Sequence, residues 1–170
     1  MGTRNRQIIL FGFLLLAFTS CRVSYSFTGA SISPDVKTVS IHNFPNNATL
    51  VVPTLSRSIT DALRDYFTSN TNLMIVDRGG DLNIEGSIID YSLKPTAIQG
   101  SEIAALNRLT ITVKVKFTNR KNEKQNFESD FSRYADFPVS QNLNAVQETL
   151  ISQIDDQLVQ DIFNKAVVNW

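Results

Sequence analysis

From Leu109 to Thr118 the chain alternates without a break. Leu109, Ile111, Val113, Val115 and Phe117 are apolar, and Thr110, Thr112, Lys114, Lys116 and Thr118 are polar. A period of two sustained this long marks a strand buried on one face and wet on the other. The polar stretch from Asn119 to Gln125 reads as a turn, and Phe127, Ser129, Phe131, Arg133, Ala135 and Phe137 give a returning strand. With the turn centred near Asn122, Lys116 is expected opposite Glu128 and Lys114 opposite Asp130 on the outer side. Such pairs contribute about 0.2–1 kcal/mol each and mainly fix the register.

The other elements must fit around this hairpin. Lys37 to His42, with Val39 and Ile41 apolar, reads as a first strand, and Phe44-Pro45-Asn46-Asn47 as the loop that ends it. Pro53-Thr54 opens a helix whose apolar face is Leu55, Ile59, Ala62, Leu63, Tyr66 and Phe67; Ser69 to Asn72 stops it. Leu73 to Val76 reads as a short buried strand, closed by Asp77-Arg78-Gly79-Gly80. In the strand that follows, Leu82, Ile84 and Ile88 share one parity, whereas Ile89, Tyr91 and Leu93 share the other. One face cannot hold both sets, so a bulge is expected at Ile88-Ile89. Lys94-Pro95 is expected to end this strand, and Thr96 to Leu106 to form a loop around Gly100. After Pro138, Leu143, Val146, Leu150, Ile154, Leu158 and Ile162 recur at helical spacing, and Ile151, Val159, Phe163 and Val167 widen the stripe. Asp155 and Asp156 are expected on the solvated side of that helix. The order is β-α-β-β-β-β-α. Strands with one polar face and only two helices imply an α+β two-layer sandwich, both helices packed on one face of a four- to five-stranded mixed sheet.

The first 21 residues carry a different message. Arg4 and Arg6 precede an apolar run of 11 residues, Ile8 to Phe18, which breaks into Thr19-Ser20-Cys21. That is the layout of a secretory signal, and the run is shorter than the roughly 20 residues needed to span a bilayer. A cysteine directly after the small residues is what lipoprotein processing requires. Residues 1–20 are therefore expected to be a lipoprotein signal peptide and Cys21 the acylated (palmitate-bearing) first mature residue. Residues 21–34, rich in Ser, Thr and Gly, form the lipidated N-terminus and tether, and 35–170 a single domain. Several acyl chains hold a protein at a membrane far more firmly than one. Cys21 is the only cysteine, so no disulfide is expected. The mature part keeps 14 basic against 16 acidic side chains, a balance that argues against a nucleic-acid partner.

Catalytic chemistry finds little material. His42 is the only histidine, which removes two-histidine metal sites, and a single cysteine removes thiolate sites. No G-x-S-x-G elbow is present, and Gly79-Gly80 lacks the Lys-Ser/Thr of a phosphate loop and reads as a turn. No enzyme activity, cofactor or metal is expected. The one suggestive constellation is the basic set Lys114, Lys116, Arg120, Lys121 and Lys124 along the hairpin, a candidate for engaging phosphates or an acidic partner by Coulomb attraction. The plainer reading is a soluble hairpin balanced by Glu123, Glu128 and Asp130.

Five segments resemble a known family. Tyr25-Ser26-Phe27-Thr28-Gly29-Ala30-Ser31-Ile32 is similar to the start of LptE-type lipopolysaccharide-assembly lipoproteins, above all their Bacteroidota branch. Gly79 to Leu82, Ala105 to Val113, Phe131 to Phe137 and Asp161 to Lys165 extend the likeness over nearly the whole mature chain. The resemblance implies two helices on a small sheet. It also implies an outer-membrane lipoprotein that plugs the β-barrel of an LptD-type translocon, helps assemble it and passes lipopolysaccharide to the outer leaflet. The alternative is a lipid-anchored periplasmic activator of a cell-wall synthase. Such a protein usually needs a long tether, and Arg22 to Pro34 spans only about 40 Å at ~3.3 Å per residue.

Overall fold

The computed structural model describes residues 32–96 and 105–168. The signal peptide, Cys21, most of the tether and the loop around Gly100 lie outside the described residues. The chain forms β1 (Thr38–Ile41), α1 (Leu55–Asn70), β2 (Met74–Val76), β3 (Leu82–Thr96), β4 (Leu106–Asn119), β5 (Phe127–Pro138) and α2 (Leu143–Phe163). A π-helical turn, Asn164–Val168, continues α2. The sheet order is β2-β1-β3-β4-β5. β1 is parallel to both β2 and β3, and the remaining pairs are antiparallel. The expected α+β architecture and element order are therefore present.

Alternation translates directly into layers. Leu109, Ile111, Val113 and Val115 are fully buried, as are Leu55, Ile59, Leu63 and Phe67 of α1 and Ile154, Leu158 and Ile162 of α2; Leu150 is 6 % exposed. Phe163 of α2 meets both Tyr66 and Phe67 of α1 edge-on, with ring centroids 5.0 Å apart in each pair, the geometry aromatic quadrupoles favour. Val113→Ala is expected to cost about 2 kcal/mol, because two methyl groups leave a filled site. Thr112→Ala, on the other face, should cost less than about 1, the worth of its cross-strand hydrogen bond with Ser132. Urea denaturation of both variants checks the strand phase.

The bulge falls where the parity break places it. Ile88 pairs with Val113 and Asp90 with Thr112, leaving Ile89 as the extra residue. Beyond it Tyr91 turns inward and is buried, whereas Leu93 stays 39 % exposed. The loop after β1 follows β3 as far as this bulge: Ile88 N donates to Pro45 O and Asn47 N to Ile88 O, both at 2.9 Å. Gly86 is required there, since a Cβ would stand 2.4 Å from the Phe44 ring and 2.6 Å from Lys114 O.

Three expectations are corrected. β2 is not buried: it is a three-residue edge strand with Met74 68 % exposed. The apolar run could not reveal that its partner covers one side only. β3 does not stop at Lys94-Pro95, because both residues pair with β4, opposite Arg108 and Asn107. β1 pairs only with residues 82–84 of β3, so Pro95 sits on an edge where its missing N–H is harmless. Finally, Asp155 is not solvated. It is 1 % exposed, with Ser58 Oγ of α1 donating to its Oδ2 at 2.6 Å.

The connection from β2 to β3 is unusually short. Those strands flank β1 on opposite sides, so residues 77–81 must cross it, where parallel crossovers ordinarily take a dozen residues or more. Gly79 adopts φ 76°, a left-handed conformation. A Cβ on Gly80 would meet Ser40 N at 2.6 Å and Val39 C at 2.9 Å. Asp81 then ties the exit down. Its Oδ2 accepts from Lys37 N, Thr38 N and Thr38 Oγ1 at 2.9–3.1 Å, and its Oδ1 faces Lys121 Nζ at 3.3 Å. Those donors, led by the Lys37 amide, hold the Asp81 carboxyl down at about 2.

Candidate functional site

The polar face of the sheet is built by the same alternation that builds the core. β4 places Lys114 and Lys116 there, and the register opposite β5 is the expected one, Lys114 with Asp130 and Lys116 with Glu128. Lys114 Nζ leans diagonally to Glu128 Oε1, 4.0 Å away, and Lys116 also faces Glu85 of β3. The two lysines, Glu85, Ser87 and Glu128 line a shallow hollow of about 150 Å³. Two cations thus sit among carboxylates, with their side chains open to water.

Arg120, Lys121 and Lys124 lie apart from that pair, at the end of the hairpin. Residues 120–124 are all exposed. Arg120 donates from Nη1 to Gly79 O at 3.2 Å, and Lys121 pairs with Asp81. Lys124 sits in a 3-10 turn, Glu123–Gln125, whose start is capped by Asn122 accepting from Lys124 N. The structure therefore brings the five basic residues onto one hairpin but in two groups, one on the open sheet face and one at the turn.

Two further polar clusters escaped the sequence reading. His42 Nε2 lies 2.9 Å from Asn83 Oδ1, which also accepts from Ser40 Oγ at 2.7 Å, while Asn83 Nδ2 donates to Glu85 Oε1 at 2.7 Å. On the same face, Arg108 makes two 2.8 Å hydrogen bonds to Asp136 and lies 3.6 Å over the Tyr134 ring. Carrying the Lys116–Glu128 register along the hairpin to Arg108 would have found that second pair. The hydrogen bonds that Arg108 donates to Asp136 raise the Arg108 pKa and lower that of Asp136. On the helix side of edge strand β5, Arg133 pairs with Asp161 of α2 at 2.6 and 2.8 Å. An inward-pointing charge of this kind guards a free edge against pairing with other chains.

Among the described residues no three His, Cys, Asp or Glu side chains stand close enough to hold a metal ion. No described helix is long and apolar enough to cross a membrane. The arrangement is that of an α+β domain with an open, charge-paired sheet face, suited to contact with other molecules. The chain belongs to the LptE family, described as lipopolysaccharide-assembly, whose family model matches residues 36–166.

Two solved structures share the fold, and a third is similar. A minor lipoprotein from Acinetobacter baumannii is 15 % identical with a TM-score of 0.50, over 76 % of this chain and 91 % of that one. A hypothetical protein from Chlamydia trachomatis is 9 % identical with a TM-score of 0.52, over 79 % and 98 %. The rare lipoprotein B from Shewanella oneidensis is 17 % identical with a TM-score of 0.49, over 75 % and 92 %. A sequence comparison with curated proteins finds no match.

Proposed function

We propose that this chain is a non-enzymatic outer-membrane lipoprotein subunit of the lipopolysaccharide translocon. It is acylated at Cys21, plugs and helps assemble an LptD-type β-barrel, and delivers lipopolysaccharide to the outer leaflet. The observation that carries this reading is the family match over residues 36–166, which takes in the whole sheet and both helices. The lipoprotein signal layout before Cys21 agrees with it, and the polar sheet face suits a plug, since the interior of such barrels is polar.

Within that role, Lys114 and Lys116 are the basic residues best placed for the phosphates or acidic sugars of lipopolysaccharide, because they point from an open face. Lys121 is engaged with Asp81 and is a poor choice for mutation. Replacing Lys114 and Lys116 together by Gln should weaken lipopolysaccharide binding about thirty-fold, since each ammonium lost removes a charge-assisted contact worth about 1 kcal/mol net when exposed. The wild-type affinity should fall as salt rises. Equal affinities for a folded double variant and the wild type would exclude these lysines from the contact.

A further inference from the structure

Beyond its bulge, β3 is paired on one side only. β1 reaches only residues 82–84, and the loop after β1 leaves the strand at Ile88, where Asn46 bridges to it. Ile88 turns its N–H and C=O outward, to Pro45 and Asn47. The bulge advances that alternation by one residue, so Tyr91 and Leu93 turn theirs outward, and no described backbone group takes them. The other long edge, β5, is guarded by Arg133, and β2 has only three residues. Exposed apolar side chains gather on the β3 edge: Ile89 and Leu93 on the strand, Leu50 and Val51 in the loop that Asn46 closes onto Val52 O. The charges there are unmatched. Asp90, Ser92 and Lys94 share the open face of the sheet, opposite Thr112, Thr110 and Arg108. Arg108 is committed to Asp136, so Lys94 faces a like charge. Asp90 accepts from Ser92 Oγ at 2.9 Å. Among the described residues neither Asp90 nor Lys94 takes part in an ion pair. They stand about 13 Å apart along the strand at ~3.3 Å per residue, too far to pair with each other.

We propose that this edge is a dimerisation site for a second copy of the chain, β3 adding antiparallel to the partner's β3 about a twofold axis through Ser92. That register sets Asp90 opposite the partner's Lys94 and Lys94 opposite the partner's Asp90, the self-complementarity that an isologous interface needs. It also sets Tyr91 opposite the partner's Leu93, so the outward backbone groups of one strand meet those of the other and complete the ladder. Asp90 and Lys94 then fall in non-hydrogen-bonded positions, where opposing side chains approach most closely. The bulge at Ile89 ends the pairing on one side, and Pro95, with no N–H to give, ends it on the other. A lysine on a free edge ordinarily repels other strands. A copy of the same chain supplies both the carboxylate opposite Lys94 and the cation opposite Asp90. Five residues per strand make a small interface, one that exchanges readily. The dimer is a form of the free chain, and a chain entering a barrel as a plug exchanges its copy for the barrel. The inference goes beyond that role and does not rest on it.

The test is disulfide trapping of the full-length acylated chain, purified in detergent away from other proteins. With the Cys21 thiol acylated, Ser92→Cys supplies one free thiol per chain at the twofold axis. The two Cα atoms there would stand about 4.5 Å apart, within disulfide reach. Ser132→Cys, on the same face of the sheet but on β5, is the control. Under mild oxidant the Ser92→Cys chain should form covalent dimer about ten-fold faster than the control. Adding either Asp90→Lys or Lys94→Asp to Ser92→Cys should slow trapping about ten-fold, because like charges then face each other across the axis. Mixing the two reversed chains should bring the rate back to within about three-fold of the parent, since their charges are complementary. A restored rate also shows that both reversed chains are folded. Equal trapping through the two cysteine positions overturns the dimer. So does trapping that the single reversals leave unchanged, or that mixing fails to restore in chains whose circular dichroism matches the wild type.

Discussion

Gly80→Ala is expected to lower stability by about 3 kcal/mol or more, read as the shift of the urea midpoint at constant slope. The added methyl would stand 2.6 Å from Ser40 N, 2.7 Å from Leu82 O and 2.9 Å from Val39 C. All three are backbone atoms of paired strands, so relief requires β1 or the crossover to move. Overpacking a site bounded by flexible side chains costs less. The neighbouring glycine is the control. At Gly79 the nearest atom to a Cβ is the end of Arg120, 3.8 Å away, so Gly79→Ala meets only the backbone strain of φ 76°, about 1–2 kcal/mol. Equal and small losses at the two positions would show that the five-residue crossover does not press on β1.

Asp155→Asn is expected to stabilise the protein at pH 8 and to leave it almost unchanged at pH 4. Burial between the helices pushes the Asp155 carboxyl up to about 7; Ser58 partly opposes this shift, and the charge of Asp156 adds to it. The unfolded chain loses that proton near 4, so between about pH 4 and 7 the native state binds the extra proton. Stability therefore declines as pH rises through this window. The contribution is fully present below pH 4 and gone above about 7. A shift of this size corresponds to roughly 4 kcal/mol as a ceiling, and a gain of about 2 from the amide at pH 8 is expected. The amide carbonyl can keep the Ser58 hydrogen bond, while Oδ1, which has no partner, ceases to be part of a buried charge. Thermal melts of both proteins from pH 4 to 8 should converge at the acid end. A variant less stable than wild type at pH 8 would mean that the carboxylate is compensated.

Legibility in the sequence followed the strength of the local period. The strand from Leu109, the hairpin register and the bulge at Ile88-Ile89 all follow from side-chain parity, which a one-residue slip would invert for every residue. Whatever depends on neighbours distant in sequence was hidden. Whether Leu73 to Val76 is an inner or an edge strand depends on what lies beyond it. Asp155 looks like any helix-surface acid until α1 is laid against it, because its neighbour Asp156 is exposed. Gly79-Gly80 reads as a turn, but only the sheet order shows it to be a crossover. The basic hairpin was visible as composition; its division into a face pair and a turn group needed the fold.

The most direct test of the functional account is affinity purification of the tagged, full-length chain from detergent-solubilised cell envelope, with the co-purifying proteins identified by mass spectrometry. A translocon subunit should bring down a large outer-membrane β-barrel in near-stoichiometric amount. Recovery of a penicillin-binding cell-wall synthase in place of any barrel would contradict the account.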